Sequence, residues 1–254
     1  MTFFDDMDAM ELFYFFFILI FLIAGLVKGI TGMGLPTVAM GLLGILMSVP
    51  EAAAMLLLPA LVTNLWQLYT GTALKKILTR LWCMMLCITV GTITASFFLM
   101  TLDPTWAKCG LGLILVSYAI YALIAPQLQI PRSAETYLSP WIGLLTGIMT
   151  GMTGVFVVPA VPYLQALGLN KDELIQALGL SFSVSTLALA LGLYIHDALK
   201  PMQLSLSMLA IIPALIGMWY GGKIRSKISP QRFKQCFFVF LLLLGLQFSL
   251  SGLV

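Results

Sequence analysis

The residues best suited to chemistry lie in one short segment, Gly25-Leu-Val-Lys-Gly-Ile-Thr-Gly-Met-Gly34. Lys28 is the only formal charge in the interior of any apolar stretch, and its nearest charged neighbours in the sequence are Glu11 and Glu51. A lysine deep within a membrane helix costs about 2.5–3.5 kcal/mol on insertion scales. Some partner must therefore compensate this ammonium group, and a bound anion is one candidate.

Three structural roles compete with anion binding at Lys28. The side chain can snorkel to the lipid headgroups, cap the carbonyl groups of an interrupted helix, or pair with a lipid phosphate. The surrounding residues favour binding. Gly32 and Gly34 expose backbone, and a helix that restarts around Pro36 presents free N–H groups and the positive end of its dipole. A second helix restarts after Gly154, and the two helix starts, the ammonium group and the hydroxyls of Thr31 and Thr153 are predicted to form one anion site together.

The same motif occurs a second time in the chain. Gly25, Gly29, Thr31 and Gly32 align with Gly147, Gly151, Thr153 and Gly154 at a constant offset of 122, and Thr150 takes the place of Lys28. Further matches follow in the same order: Glu51 with Glu173, Thr63-Asn64 with Ser185-Thr186, and Gly91 with Gly217. This series predicts an internal duplication of a unit of roughly 125 residues.

The elements that must position these motifs are membrane helices. The chain has 254 residues, of which 61% are hydrophobic and 9% charged, and its mean hydropathy is +1.05. Soluble domains carry about 25% charged residues, so this composition excludes a water-soluble fold. Apolar segments are predicted at 12–30, 36–48, 52–70, 79–101, 105–125, 141–153, 155–168, 173–195, 202–221 and 233–252.

These segments predict one integral membrane domain of the all-α polytopic class. It comprises an acidic extracytoplasmic N-terminus (1–11), a first repeat (12–125), a connecting cytoplasmic loop (126–140) and a second repeat (141–254), and each repeat opens with a broken or re-entrant helix pair. Lysine and arginine remain on the cytoplasmic side of a membrane. Placing the basic loops 75–80 and 223–234 there requires an odd number of crossings per repeat, so the repeats have inverted topology and the N-terminus lies outside the cytoplasmic membrane.

Inverted repeats with interrupted helices are typical of secondary transporters, whose sites lie where the repeats meet. The predicted substrate-binding residues are therefore the polar and glycine positions at the two breaks and at the duplicated polar pair: Lys28, Thr31, Gly32, Gly34, Asn64, Gln67, Thr150, Thr153, Gly154, Ser183, Ser185 and Thr186. For the polar positions of the third segment and of its counterpart, hydrogen bonding between helices is an equally good explanation; these are Asn64, Gln67, Ser183, Ser185 and Thr186. The five tryptophans are mostly interpreted as interfacial anchors.

The paired motifs G-x-x-K-G-x-x-G-x-G and G-x-x-T-G-x-x-G, on about 250 apolar residues, resemble those of the sulfite exporter TauE/SafE family of membrane permeases. The resemblance covers the whole chain. It implies transport of a small sulfur-containing anion such as sulfite, a sulfonate or a related organic acid. Export is the direction that the membrane potential favours for an anion.

The sequence also argues against other classes of protein. It has no Walker loop, no H-E-x-x-H, no G-x-S-x-G and a single histidine, so we predict no enzyme activity, no cofactor and no metal site. The net charge of +3 falls in short loops and predicts no nucleic-acid partner. Besides its substrate and the lipid bilayer, the sequence allows a homodimer. The alternative function is a non-transporting assembly factor that docks a partner enzyme on its basic loop.

Overall fold

The computed structural model describes residues 8–124, 129–225, 227 and 230–250. Within these ranges the chain forms ten α-helices and no β-strand. The first five are α1 (Ala9–Thr31), α2 (Leu35–Leu46), α3 (Val49–Tyr69), α4 (Leu74–Thr101) and α5 (Pro104–Ile124). The second five are α6 (Arg132–Thr153), α7 (Ala160–Ala166), α8 (Lys171–Ile195), α9 (Pro201–Ile224) and α10 (Pro230–Leu250).

Six of the described helices are long and apolar enough to cross a membrane: α1, α3, α4, α5, α8 and α9. Their outward faces carry large apolar side chains, such as Leu113 at 60% exposed and Ile212 at 63% exposed. Such a surface suits lipid, because the hydrocarbon core offers no hydrogen-bond partners. The predicted all-α polytopic membrane class is confirmed.

The two halves of the chain begin their third helices in the same way. Ser48 and Glu51 form a capping box at the start of α3, and Asn170 and Glu173 form one at the start of α8. Each glutamate accepts a hydrogen bond from the backbone N–H of its N-cap residue. Both carboxylates therefore stabilise helix starts and do not turn inward as proton carriers would.

Each half of the chain packs its first helix against the fourth helix of the other half. Helix α1 packs on α9, and its counterpart α6 packs on α4, the counterpart of α9. The crossings are glycine-lined and parallel: a Cβ at Gly25 would lie 2.2 Å from the Ala214 carbonyl oxygen, and one at Gly29 would lie 2.2 Å from that of Met218. Gly147 and Gly151 meet Ile88 and Thr92 in the same way on α4.

Equivalent helices of the two halves run antiparallel where they touch. In the α3–α8 pair, Gly179 lies against Asn64 and Leu68, whereas Gln176 contacts Leu68 and, beyond the end of α3, Gly71. The α5–α10 pair is also antiparallel, since Gly112 meets Gly245 and Tyr118 meets Phe238. These directions are consistent with inverted repeats.

One end of the bundle carries the basic residues Lys76 and Arg80 of α4, and we call it the basic end. Lys76 pairs with Glu173 at the start of α8 at 2.6 Å, and Arg80 pairs with Glu135 at the start of α6 at 2.5 Å. Helix α8 starts at this end, so the antiparallel helix α3 ends here. Helix α1 ends beside the last turns of α3, where Gln67 contacts Gly32, and α9 runs parallel to α1, so both also end here. The remaining ends of these helices define the opposite end.

Helix α6 differs from the sequence prediction. It begins at Arg132, inside the predicted loop 126–140, of which 126–128 fall outside the described residues. The charges of its first turn conceal the helix in a hydropathy pattern, yet Glu135 is 9% exposed and receives a two-pronged hydrogen bond from Arg80. The predicted segment 141–153 is therefore the second part of a full-length helix. Helix α7, in contrast, is shorter than the predicted segment 155–168.

Candidate functional site

Lys28 lies in the last turn of α1 and is almost completely buried, with 1% of its surface exposed. Its ammonium group donates to the Thr63 hydroxyl at 3.0 Å and to Oδ1 of Asn64, both on α3. Thr63 in turn donates to the Pro59 carbonyl oxygen at 2.7 Å. The lysine therefore points into the protein and does not snorkel to the surface.

No carboxylate neutralises this ammonium group within the part of the chain that the structure describes. The ion pairs there are Lys76–Glu173 and Arg80–Glu135, and neither includes Lys28. An ammonium group has three donors, and Thr63 and Asn64 take two of them. The site thus holds a desolvated amine with a donor available, and a negatively charged ligand beside it would favour its protonated form.

A cavity of about 480 Å³ borders Lys28 at the basic end, between α1, α3, α8 and α9. It extends from the buried lysine to Trp66 and Trp219, whose side chains are 62% and 60% exposed. Its walls include Ile175, Leu215 and Met218, and none of its lining residues is acidic. An apolar pocket with a few convergent polar groups is the usual form of a small-molecule site.

The glycine break forms the wall of this cavity next to Lys28. Gly32 has φ +81°, a left-handed conformation that ends α1 and that glycine adopts without strain. The amide of Gln67 donates to the Gly32 carbonyl oxygen at 2.7 Å and so fixes the break. The Gln67 Oε1 and Asn64 Nδ2 atoms are buried and have no partner among the described residues. Polar atoms left unpaired in this way are costly unless a ligand or water satisfies them.

The second break lies at the opposite end of the bundle. Helix α6 starts at the basic end, runs parallel to α4 and ends at Thr153, so Gly154 lies far from Gly32 along the bundle. There Gly154, with φ +72°, packs against Met40 and Ala53. The structure therefore does not bring the two breaks together in a single cage.

The predicted site residues fall into three groups. Lys28, Gly32 and Gln67 line the cavity, and Asn64 contacts it through Lys28. Several hydroxyls donate instead to carbonyl groups of their own helices, those of Thr31, Thr150, Thr153, Ser183 and Thr186. The last three lie outside the cavity: Gly34 packs against Val27 and Phe237, Gly154 packs against Met40 and Ala53, and the Ser185 hydroxyl is buried without a partner among the described residues.

Sequence reasoning missed Arg225 and assigned Trp66 and Trp219 to the membrane interface. Arg225 follows α9 and contributes a second positive charge to the cavity lining. Arg225 lies in a predicted basic loop, where arginine is usually interpreted as a signal for membrane orientation and not as a binding residue. The Lys223 ammonium lies 3.5 Å from the centre of the Trp219 ring, a cation–π contact at the rim.

Comparison with known proteins agrees with this architecture. Residues 17–248 match the family described as "Sulfite exporter TauE/SafE". The chain belongs to the TauE/SafE family. No curated protein and no solved structure matches the chain.

TauE/SafE membership covers both halves of the chain and both breaks. It establishes a multi-pass membrane protein of a sulfite and anion exporter family. Among the residues described for this TauE/SafE protein, no group of three His, Cys, Asp or Glu side chains could hold a metal ion.

Proposed function

We propose that this protein is a secondary transporter that carries a small anion, such as sulfite or a short sulfonate, across the cytoplasmic membrane by alternating access. The observation that supports this proposal most directly is the buried Lys28 ammonium, which borders a cavity and has no carboxylate partner among the described residues. An anion bound there would supply the missing counter-charge.

The surroundings of Lys28 support an anion in preference to a cation or a neutral ligand. Arg225 adds a second positive charge to the lining, and no acidic side chain is present in it. The unpaired amide Nδ2 of Asn64 is a further donor beside the ammonium. Charge-assisted hydrogen bonds of this kind are roughly twice as strong as neutral ones.

The basic end, where the cavity opens, is the cytoplasmic end in the proposed orientation. This assignment follows the positive-inside rule, because Lys75, Lys76 and Arg80 lie at that end. Part of the second basic loop, residues 226, 228 and 229, lies outside the described residues, as do residues 1–7 of the acidic N-terminus. A cavity that opens to the cytoplasm would load an anion for export.

Replacing Lys28 with glutamine tests the proposal. Loss of one charged hydrogen bond, about 1.5–3 kcal/mol, weakens binding by about 10- to 100-fold. We therefore expect K28Q to lose most of the thermal stabilisation by sulfite or methanesulfonate, which depends on the ratio of ligand concentration to Kd. We also expect loss of sulfite flux in proteoliposomes.

The matched control is K75Q, which removes the same charge from an exposed lysine at the basic end. It should bind and transport sulfite as the wild type does. Unchanged binding and flux in K28Q would refute the assignment of Lys28. A wild-type protein without any anion-dependent flux would refute transport itself.

A further inference from the structure

The two breaks are built alike, although they lie at opposite ends. At the first, the Thr31 hydroxyl donates to the carbonyl oxygen four residues earlier and accepts from the N–H two residues later. At the second, Thr153 does the same, with distances of 2.7 Å and 3.4 Å. Each glycine that follows also donates to a carbonyl four residues earlier. The helix end at the second break thus repeats that at the first, although the next helix begins at Ala160, further from its glycine than Leu35 is from Gly32.

The similarity between the two breaks extends to the residues that neighbouring helices place against them. Ile175 of α8 lies against Gly32, and its counterpart Ala53 of α3 lies against Gly154. Met218 of α9 lies beside Gly29 and lines the cavity. Its counterpart on α4 is Thr92, which lies beside Gly151. The environment of the Lys28 cavity therefore has an equivalent at the opposite end.

The equivalent environment is polar but uncharged. Thr150 replaces Lys28, and Ser185 replaces Thr63, which accepts a hydrogen bond from the lysine. The hydroxyls of Ser185 and Thr92 are fully buried and have no partner among the described residues. Two unpaired hydroxyls at positions equivalent to a binding cavity point to a ligand that this conformation does not admit.

We propose that Thr92 and Ser185 form a second, charge-free station for the transported oxyanion, deeper in the bundle than Lys28 and on the far side of its middle from the cavity. This inference rests on the proposed transport function. Both hydroxyls donate to oxygen atoms of the substrate, whereas Lys28 holds it by charge. Transport requires sites that bind well enough for entry and weakly enough for departure, and hydroxyls without a formal charge meet the second requirement.

The structure has the two stations in different states. The Lys28 station borders the cavity at the basic end, while Thr92 and Ser185 are fully enclosed. The Met40 side chain closes on the second break, with its Sδ 3.2 Å from where a Cβ of Gly154 would lie. Alternating access between two repeats requires equivalent stations to differ in this way in their access to a cavity.

The test removes both hydroxyls in the double variant S185A/T92V and measures binding and flux separately. Sulfite should still stabilise the purified variant against heat, because the Lys28 cavity is intact. Sulfite flux in proteoliposomes should fall by at least about tenfold, because two hydrogen bonds to a charged ligand are lost and each contributes about 1.5–3 kcal/mol. The variant S185T/T92S keeps both hydroxyls, as Thr63 does in the first half, and should retain flux.

The control T94V makes the same threonine substitution on the exposed face of α4. Wild-type flux in S185A/T92V would overturn the second station while leaving the proposed function intact. An equal fall of flux in T94V would also overturn it, because the effect would then not belong to these two hydroxyls. Absence of sulfite flux in the wild type would refute the proposed function, and the second station with it.

Discussion

A single substitution at Asn64 can neutralise the positive charge of the site. Its Oδ1 accepts from Lys28, and its Nδ2 is buried without a partner in the described part of the chain. Replacing that nitrogen with oxygen in N64D changes the shape little and places a carboxylate beside the ammonium group. The protein then supplies its own counter-ion, which competes with the anion for Lys28.

We therefore expect N64D to fold and to lose most of its stabilisation by sulfite, with Kd raised at least about tenfold, or 1.4 kcal/mol. Thermal unfolding with and without sulfite measures this. The variant N64A removes the amide without adding charge and should still respond to sulfite. A response in N64D equal to that of the wild type would show that the anion does not bind at Lys28.

Helix packing in this fold depends on the contact between α1 and α9. A Cβ at Gly217 would lie 2.1 Å from the Leu22 carbonyl oxygen, so G217A must push the two backbones apart. Overpacking of this kind costs about 1–3 kcal/mol, and we expect a lower thermal midpoint in detergent. Gly222 on the same helix has nothing within 4 Å of its Cβ position, so G222A should match or slightly exceed the wild-type midpoint. Equal midpoints for the two variants would contradict the close approach.

The sequence predicted the elements well where apolar periodicity and glycine define them. The offset of 122 between Gly32 and Gly154 correctly located both helix ends, which share the same left-handed glycine cap. The start of α6 was missed because Arg132 and Glu135 lower its hydropathy, and only the tertiary pairing with Arg80 makes Glu135 tolerable inside. Pairing between distant segments is not visible in a local pattern.

The candidate site was only partly predictable for a related reason. Alignment of the two halves showed which residues are equivalent, but equivalence does not give distance. Helix α1 has 23 residues and spans about 34 Å, which exceeds the roughly 30 Å of a bilayer core. Its break at Gly32 thus lies at one end of the bundle, and inversion sends its copy to the other. Only breaks near the middle of the membrane would have met.

The whole molecule offers a direct test of inversion. The loop between α4 and α5 contains Asp103, and the equivalent loop between α9 and α10 contains Lys227; both residues are exposed. Repeats of the same orientation would place these loops on one side of the membrane, whereas inverted repeats place them on opposite sides. The antiparallel α3–α8 and α5–α10 pairs favour the second arrangement.

We expect a membrane-impermeant maleimide to label D103C in intact cells, and K227C only in inside-out vesicles, each in a background whose four cysteines are replaced by alanine. By the positive-inside rule, the basic residues near Lys227 predict a cytoplasmic loop, whereas the loop of Asp103 has no lysine or arginine between α4 and α5. Labelling of both cysteines from the same side would rule out inversion. The equivalence between the Lys28 cavity and the Thr92–Ser185 station would then no longer describe two ends of one path, because both would face the same compartment.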